Sequence, residues 1–442
     1  MIALCVFFIL CCNLVQGQFP RACVTDQALK SKTCCPPWRD GSPCGSTSGR
    51  GKCRDWVVNV ELSFIRERQY DDDRLNWPRF YFDKTCECFG NYSGHNCGDC
   101  MPGYFGDKCD RKKTVIRKEI RELSFLERKR FFSYLLLAKS TKSKDFVILT
   151  TGDRHHKDTY KFVDVTIYNL FSWIHYISIK PILRNGTFDS TTNYAHGGPA
   201  FPGWHRLGLF FLERQIQLMT GDEDFALPYY DWRGEENCSI CTDDYLGESH
   251  GQGFLSKYSH FATWKSICSG YNYDDSYCPG ADDENNMQIL YRKPGVHPTV
   301  RRFPSFKDVE DTLKLTNFDS PPYDRLARRS FRNALEGFLR PDGETLGRSM
   351  HNLVHIYFGG TMSEVPISSN DPMFILHHCY IDKIVEVWLT RHNATRDVYP
   401  VNDQPGQGPR ECSTPYFPCY LNKDLLHRST KFGYTYSKYQ QM

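Results

Sequence analysis

Two histidine pairs in the segment 349–388, SMHNLVHIYFGGTMSEVPISSNDPMFILHHCYIDKIVEVW, constrain the fold more than any other feature of the chain. His351 and His355 are four residues apart, so on a helix both imidazoles point from one face. His377 and His378 follow in a second apolar, helix-like run. A third imidazole from a facing helix would complete a three-histidine metal site. Neutral nitrogen ligands without a carboxylate favour copper, or zinc, over magnesium or calcium.

A second set of histidines precedes the first in the chain. His175 lies in the apolar run NLFSWIHYIS, and His196 and His205 bracket HGGPAFPGWH, which ends at a predicted helix start. A single histidine on an apolar helix is usually a core residue, but two triplets on helices in one chain predict two metal ions.

Cysteine usage indicates the secretory route. Residues 1–17, MIALCVFFILCCNLVQG, are expected to be a signal peptide, and ten of the remaining 17 cysteines lie between Cys23 and Cys109. This density predicts a disulfide framework of unknown pairing, with an EGF-like module over 86–109. Cys238-x-x-Cys241 could be half of a metal or redox site, but structural disulfides involving Cys268 and Cys278 are favoured. Four sequons begin at Asn91, Asn185, Asn237 and Asn393.

Hydrophobic periodicity predicts helices in five segments: 123–138, 163–179, 203–219, 346–358 and 371–390. A long irregular region is expected over 231–323. The predicted fold is therefore mainly α, a helical bundle with long loops that follows a small disulfide-rich domain. We expect a signal peptide (1–17), a Cys-rich EGF-like domain (18–111), a catalytic domain (112–436) and a short tail (437–442) without a transmembrane helix. A net charge of +3 without a basic cluster predicts no nucleic-acid partner.

Several longer motifs resemble the copper-binding signatures of the tyrosinase family: YNLFSWIHY, AHGGPAFPGWHR, LPYYDWR, FRNALEGF, SMHNLVHIYFGGTMS and NDPMFILHHCYIDKIVEVW. The cysteine-rich FPRACVTDQALKSKTCCPPWRDGSPCG and SGRGKC are similar to the N-terminal part of the vertebrate-type members. The resemblance extends from about Phe19 to Tyr436. It implies a helical protein with two copper ions, copper A and copper B, and dioxygen as a co-substrate.

Carried over residue by residue, the resemblance implies two sets of copper ligands: His175, His196 and His205 for copper A, and His351, His355 and His378 for copper B. His377 is expected near the substrate entrance, where related proteins that act on dopachrome or dihydroxyindole carry Leu. Glu336 and Asn352 would hold a water that takes the proton of a phenol, whose pKa is about 10. Phe374 would pack against the ring of His378, and Val365 and Ser368 would lie near the substrate ring.

The implied activity is oxidation of monophenols such as tyrosine, and of o-diphenols such as DOPA, to o-quinones that feed melanin formation. One alternative is a zinc- or copper-dependent dopachrome tautomerase or dihydroxyindole oxidase. An oxygen-binding protein and a non-catalytic secreted protein are further alternatives. The expected location is secreted or in the melanosome lumen, and the sequence does not give the oligomeric state.

The chain departs from the family pattern at several positions. Gly197 replaces a residue that is often Glu or polar, and Gly203 and Gly208 stand where bulkier residues are common. Cys379 directly follows His378, where a small apolar residue is usual, and we expect its thiol to point into the core.

Overall fold

A computed structural model describes residues 18–56, 72, 74, 77–153, 156–180, 182–184, 187–189, 193–268, 278, 280–281, 285 and 287–438. The α-helices of these residues are α1 Asp26–Ser31, α2 Phe125–Ser140, α3 Ile167–Ile179, α4 Phe201–Thr220, α5 Phe306–Lys314, α6 Phe331–Glu336, α7 Met350–Phe358, α8 Gly360–Ser363 and α9 Met373–Arg391. Short 3-10 helices cover Arg21–Cys23, Ile120–Glu122, Ser368–Asn370, Arg396–Val398, Asn422–Leu426 and Ser429–Phe432.

Most strands of the described residues are two to five residues long, and one hairpin among them is extended. The strands are β1 Gln18–Pro20, β2 Thr33–Cys34, β3 Gly51–Asp55, β4 Lys84–Cys88, β5 Tyr92–Ser93, β6 Asp99–Cys100, β7 Tyr104–Phe105, β8 Arg111–Lys112, β9 Val115–Arg117, β10 Lys142–Asp153, β11 His156–Thr166, β12 Ile182–Arg184, β13 Thr187–Asp189, β14 Ser249–His250, β15 Phe254–Leu255, β16 Lys265–Ser266, β17 Gln288–Ile289 and β18 Tyr434–Tyr436. The prediction of a mainly helical bundle is confirmed.

The five predicted helices are all present, but two begin four residues later than expected. Residues 163–166 belong to β11, because VDVT alternates apolar and polar residues and is rich in β-branched side chains. Thr166 then starts α3 by accepting a hydrogen bond from the backbone N–H of Asn169. Residues 346–349 precede α7, whose N-cap is Ser349.

The expectation that the region 231–323 is irregular throughout is wrong. It contains α5, in which FKDVEDTLK buries Val309, Thr312 and Leu313 on one face. A capping box between Ser305 and Asp308 fixes the start of this helix.

Eight disulfides are present among the described residues, and Cys379 is the free cysteine. Five of them cross-link the N-terminal region: Cys23–Cys34, Cys35–Cys53, Cys44–Cys86, Cys88–Cys97 and Cys100–Cys109. Three lie further on: Cys238–Cys241, Cys268–Cys278 and Cys412–Cys419. The expectation that the Cys238 and Cys268 regions form structural disulfides is confirmed.

Both ends of the described chain pair with central strands. β1 pairs antiparallel with β10, which also pairs with β11, and β18 pairs in parallel with β9. The cysteine-rich region and the helical bundle therefore share a sheet. Among the described helices, none combines the length and apolar character required to cross a membrane.

A buried charge network links α4 and α9 at the centre of the bundle. Asp382 on α9 accepts a hydrogen bond from Arg206 Nε on α4 at 2.6 Å and one from the Tyr434 hydroxyl at 2.6 Å. Arg117 lies 3.5 Å from the same carboxylate and 3.0 Å from Glu213. Burial alone would raise the pKa of Asp382, but the neighbouring arginine charges outweigh it and lower the pKa. The network thus neutralises charges that the bundle buries.

Lys383, next to Asp382, is a buried cation without a carboxylate in ion-pair contact among the described residues. Its Nζ donates to the Tyr229 hydroxyl at 2.9 Å, beside a surface cavity of about 460 Å³. Burial lowers the pKa of Lys383 to about 8, and Arg233 adds to this effect while the charges of Asp231 and Glu119 oppose it.

Gly208 on α4 leaves room for a side chain from the C-terminal region. A Cβ at this position would lie 2.6 Å from the Tyr416 hydroxyl and 3.5 Å from Phe171. The Tyr416 hydroxyl is buried there and has no hydrogen-bond partner in the described part of the chain. The small residue at 208 is therefore matched to the tyrosine that packs on it.

Candidate metal centre

The second predicted triad meets at one point between α7 and α9. The Nε2 atoms of His351 and His355 each lie 3.2 Å from Nε2 of His378. Three nitrogens at about 2.0 Å from a common ion in tetrahedral geometry would be separated by about 3.3 Å. The spacing of this triad therefore fits a metal ion bound by three imidazoles.

Hydrogen bonds at the other ring nitrogen orient two of these imidazoles. His355 Nδ1 lies 2.7 Å from the carbonyl oxygen of Met362. His351 Nδ1 lies 3.2 Å from the carbonyl oxygen of Glu336 and 3.0 Å from Oδ1 of Asn352. Because all three partners are acceptors, each Nδ1 carries the proton and leaves Nε2 free to bind a metal.

The first predicted triad is formed by α3, the loop before α4, and α4 itself. One nitrogen from each of His175, His196 and His205 can be chosen so that all lie within 4.8 Å of one another. His205 Nδ1 lies 2.8 Å from the carbonyl oxygen of Phe201, one turn earlier, which orients Nε2 toward the other rings. Within the described residues, both nitrogens of His175, Nδ1 of His196 and Nε2 of His205 are buried without a hydrogen-bond partner. Buried nitrogens without partners are the expected state of ligands that a metal would satisfy.

The two triads face each other. The rings of His205 and His378 stack with centroids 4.4 Å apart, and the centroids of His196 and His351 are 6.2 Å apart. The arrangement thus fits a pair of adjacent metal ions rather than two separate sites.

Burial keeps these imidazoles in the neutral form that binds metals. It lowers the pKa of His205 to about 3 and that of His355 to about 4, and it holds the pKa of the other four far below the ordinary value. Six neutral imidazoles without a carboxylate ligand fit copper.

His377 belongs to the same cluster, but its Nδ1 accepts a hydrogen bond, whereas Nδ1 of His351 and of His355 donates one. Its Nδ1 accepts from the indole N–H of Trp232 at 3.0 Å, so the proton of the neutral ring lies on Nε2. The ring stacks on His351 at 5.1 Å and is fully buried. His377 is therefore a donor toward the cluster, and its role at the substrate stays a prediction. Sequence inspection did not single out Trp232, because nothing in LPYYDWR indicates which distant ring its indole meets.

Glu336 and Asn352 both contact Nδ1 of His351, Glu336 through its backbone carbonyl and Asn352 through its side chain. The fully buried carboxylate of Glu336 accepts from the backbone N–H of Gly197 at 2.6 Å and from Arg332 at 3.2 Å. Burial raises the pKa of Glu336 to about 7, although the charge of Arg332 opposes the rise. Asn352 Oδ1 contacts His351 rather than Glu336. The structure thus brings both residues to the site but gives their side chains different partners.

Of the predicted substrate-side residues, Phe374 contacts a candidate ligand, and the roles of Val365 and Ser368 at a substrate stay predictions. Phe374 stacks on His378 at 3.9 Å between centroids, one helical turn before it. Val365 is 51% exposed after α8, and the buried Ser368 donates to its carbonyl oxygen at 3.1 Å. Cys379 is fully buried, and burial raises the pKa of its thiol, so the expectation that it packs in the core is confirmed.

The predicted glycan acceptors differ in access. Asn237 and Asn393 are exposed, whereas Asn91 is half-buried and its Nδ2 donates to the carbonyl oxygen of Cys109 at 3.1 Å. Asn185 lies outside the described residues.

Comparison with known proteins agrees with this geometry. The family described as "Common central domain of tyrosinase" matches residues 165–391. Tyrosinase of Canis lupus familiaris is 42% identical over 98% of this chain and 85% of its own length. The 5,6-dihydroxyindole-2-carboxylic acid oxidase of Bos taurus is 35% identical over 95% of this chain and 82% of its own length. A mutant polyphenol oxidase from Thermothelomyces thermophila has a similar fold, with a TM-score of 0.50 and 16% identity over 76% of this chain and 90% of that chain.

The fold and the two facing triads define a helical protein with a candidate dinuclear metal centre. The extent of the match identifies it further: the chain belongs to the tyrosinase family.

Proposed function

We propose that the chain binds two copper ions and uses dioxygen to oxidise monophenols such as tyrosine, and o-diphenols such as DOPA, to o-quinones that lead to melanin. One observation carries the proposal: six buried histidines form two triads whose rings meet at 4.4 Å. His175, His196 and His205 would hold one ion, and His351, His355 and His378 the other. When bound, the copper pair supplies the redox chemistry that passes electrons from the phenol to dioxygen.

The protein itself keeps the ligand rings fixed. Carbonyl oxygens of Phe201 and Met362 fix the rings of His205 and His355, and Phe374 packs against His378. Rings held in this way need little rearrangement during the reaction.

Glu336 and Asn352 are proposed to handle the phenol proton. The raised pKa of about 7 makes the Glu336 carboxylate a stronger base than an ordinary glutamate. The Nδ2 of Asn352 has no hydrogen-bond partner among the described residues and could orient a water toward this carboxylate. His377, with its proton on Nε2, would donate a hydrogen bond toward the same space.

The test is quinone formation from tyrosine and from DOPA by the purified, copper-loaded protein, with metal content measured on the same sample. We expect two copper ions per chain and oxidation of both substrates. Absence of quinone from a protein that holds two copper ions would refute the proposal. Two zinc ions and no copper would favour the tautomerase alternative. A His355→Ala variant should retain one copper ion and lose DOPA oxidation.

We further propose that 18–111 forms the cysteine-rich part and 112–436 the catalytic part of a secreted or melanosome-lumen protein. Eight disulfides support folding in an oxidising compartment. Loss of mass on glycosidase treatment of protein from animal cells would test the glycan sites at Asn91, Asn185, Asn237 and Asn393.

A further inference from the structure

Arg325 is an exposed arginine beside the candidate metal centre, and its guanidinium has no anionic partner in the described part of the chain. The guanidinium lies over the ring of Phe338, whose centroid is 5.0 Å from the guanidinium carbon, and its charge acts on the buried Glu336 carboxylate without ion-pair contact. Neighbouring arginines differ: Arg329 pairs with Glu344, and Arg332 pairs with Asp319 at 2.9 Å. Arg325 thus lacks the carboxylate contact that Arg329 and Arg332 have.

The backbone that carries Arg325 is held in place. Its carbonyl oxygen accepts from Nδ2 of Asn333 at 3.1 Å, and the carbonyl oxygen of Asp324 accepts from Arg332 at 2.9 Å. Both donors belong to α6 and are buried. The backbone at Arg325 is therefore fixed, while its exposed guanidinium has no carboxylate in ion-pair contact among the described residues.

The side chain of Arg325 lies over Gly197, next to His196. A Cβ at position 197 would be 3.2 Å from Nε of Arg325, and Gly197 has φ +72°. The glycine that departs from the family pattern thus lets a cation lie against the histidine site.

From this placement, and resting on the proposed oxidation of phenols, we infer that Arg325 binds the α-carboxylate of an amino-acid substrate. A guanidinium can donate two parallel hydrogen bonds to a carboxylate. The phenol ring would then extend past Gly197 toward the histidines. A decarboxylated substrate such as dopamine places an ammonium near the same guanidinium and is repelled. Arg325 is therefore a positioning residue that selects tyrosine and DOPA over tyramine and dopamine.

The experiment compares Arg325→Gln with wild type on DOPA and dopamine, both of which have the same catechol. We expect kcat/KM for DOPA to fall about 5- to 20-fold through KM, with little change in kcat, and that for dopamine to remain equal or rise. Arg325→Lys should recover part of the preference for DOPA. A second readout needs no copper: by equilibrium dialysis, the metal-free wild type should bind 3-(4-hydroxyphenyl)propionate more tightly than Arg325→Gln does.

Arg329→Gln is the matched control, because it removes a charge from the same loop but from a residue paired with Glu344. It should leave the DOPA-to-dopamine ratio unchanged. An equal loss for both substrates in Arg325→Gln, or no loss for either, would overturn the inference while the oxidase proposal stands. A wild type that oxidises neither catechol would instead refute the proposed function, and the dialysis result would still decide whether Arg325 binds the carboxylate.

Discussion

The ion pair between Arg206 and Asp382 joins the two helices that carry candidate ligands of different metal ions. Arg206 directly follows His205 on α4, and Asp382 lies one turn after His378 on α9. An Asp382→Asn substitution keeps the shape of the side chain but removes its charge. We expect this change to destabilise the fold and to loosen the spacing between the two triads.

The size of the effect follows from the burial of the partners. The side chain of Arg206 is 2% exposed and that of Asp382 is 3% exposed, so solvent cannot compensate for the lost charge. Breaking a buried pair by removing one partner costs about 3–5 kcal/mol. Arg206 keeps a longer contact with Glu386 at 3.5 Å, and Arg117 keeps Glu213 at 3.0 Å. We therefore expect a loss near the lower limit, about 3 kcal/mol.

The assay is urea unfolding of the metal-free protein with its disulfides intact, followed by tryptophan fluorescence. Glu310→Gln is the control. It breaks a surface pair with Arg391, which lies on α9 as Asp382 does, and it should cost less than about 1 kcal/mol. Copper content after dialysis gives a second measurement, in which Asp382→Asn should retain less metal than Glu310→Gln. The reasoning is refuted if Asp382→Asn and Glu310→Gln unfold alike, or if Asp382→Asn is less stable yet retains both ions fully.

Three further substitutions test other contacts. Trp232→Phe removes the donor to His377 and leaves a buried ring nitrogen without a partner, so we expect DOPA turnover to fall about 10- to 100-fold in steady-state kinetics. Unchanged turnover would contradict a role for this hydrogen bond. Lys383→Met should be more stable than wild type at pH 7 by up to about 3 kcal/mol. The lysine has a pKa of about 8 when folded, against 10.5 for the free group. In urea melts, the stability difference between the wild type and Lys383→Met should therefore shrink as the pH rises from about 8 to 10.5. A difference that does not change with pH would refute this explanation. Gly208→Ala should lower the melting temperature, because the added methyl group meets the Tyr416 hydroxyl. Adding Tyr416→Phe should recover part of the loss, and no recovery would show that the hydroxyl is not the cause.

Helical periodicity predicted the pairing of His351 with His355, whereas the copper A histidines were found from the segments that carry them and from the resemblance. His351 and His355 are one turn apart, and the resemblance supplied His378. Helix starts were harder to predict, since apolar alternation in 163–166 suits either a helix or a strand until its pairing with β10 is known.

Contacts between distant segments could not be predicted. The indole of Trp232 meets His377 across 145 residues, and Gly197 meets Glu336 across 139 residues. Which arginines of the 325–332 segment contact a carboxylate likewise depends on where Glu344 and Asp319 lie in the fold. Such facts arise from tertiary packing, which residue types and spacing in one sequence do not encode locally.

The hydrogen bonds from Tyr434 and Tyr436 to Asp382 have a consequence for biosynthesis. These tyrosines belong to β18, which pairs with β9 more than 300 residues earlier in the chain. During translation, α4 and α9 leave the ribosome before β18 does, so the Arg206–Asp382 pair first forms without its hydroxyl partners. We therefore expect stable copper loading to follow completion of the chain, and copper delivered to a nascent chain that ends before Tyr434 to be released.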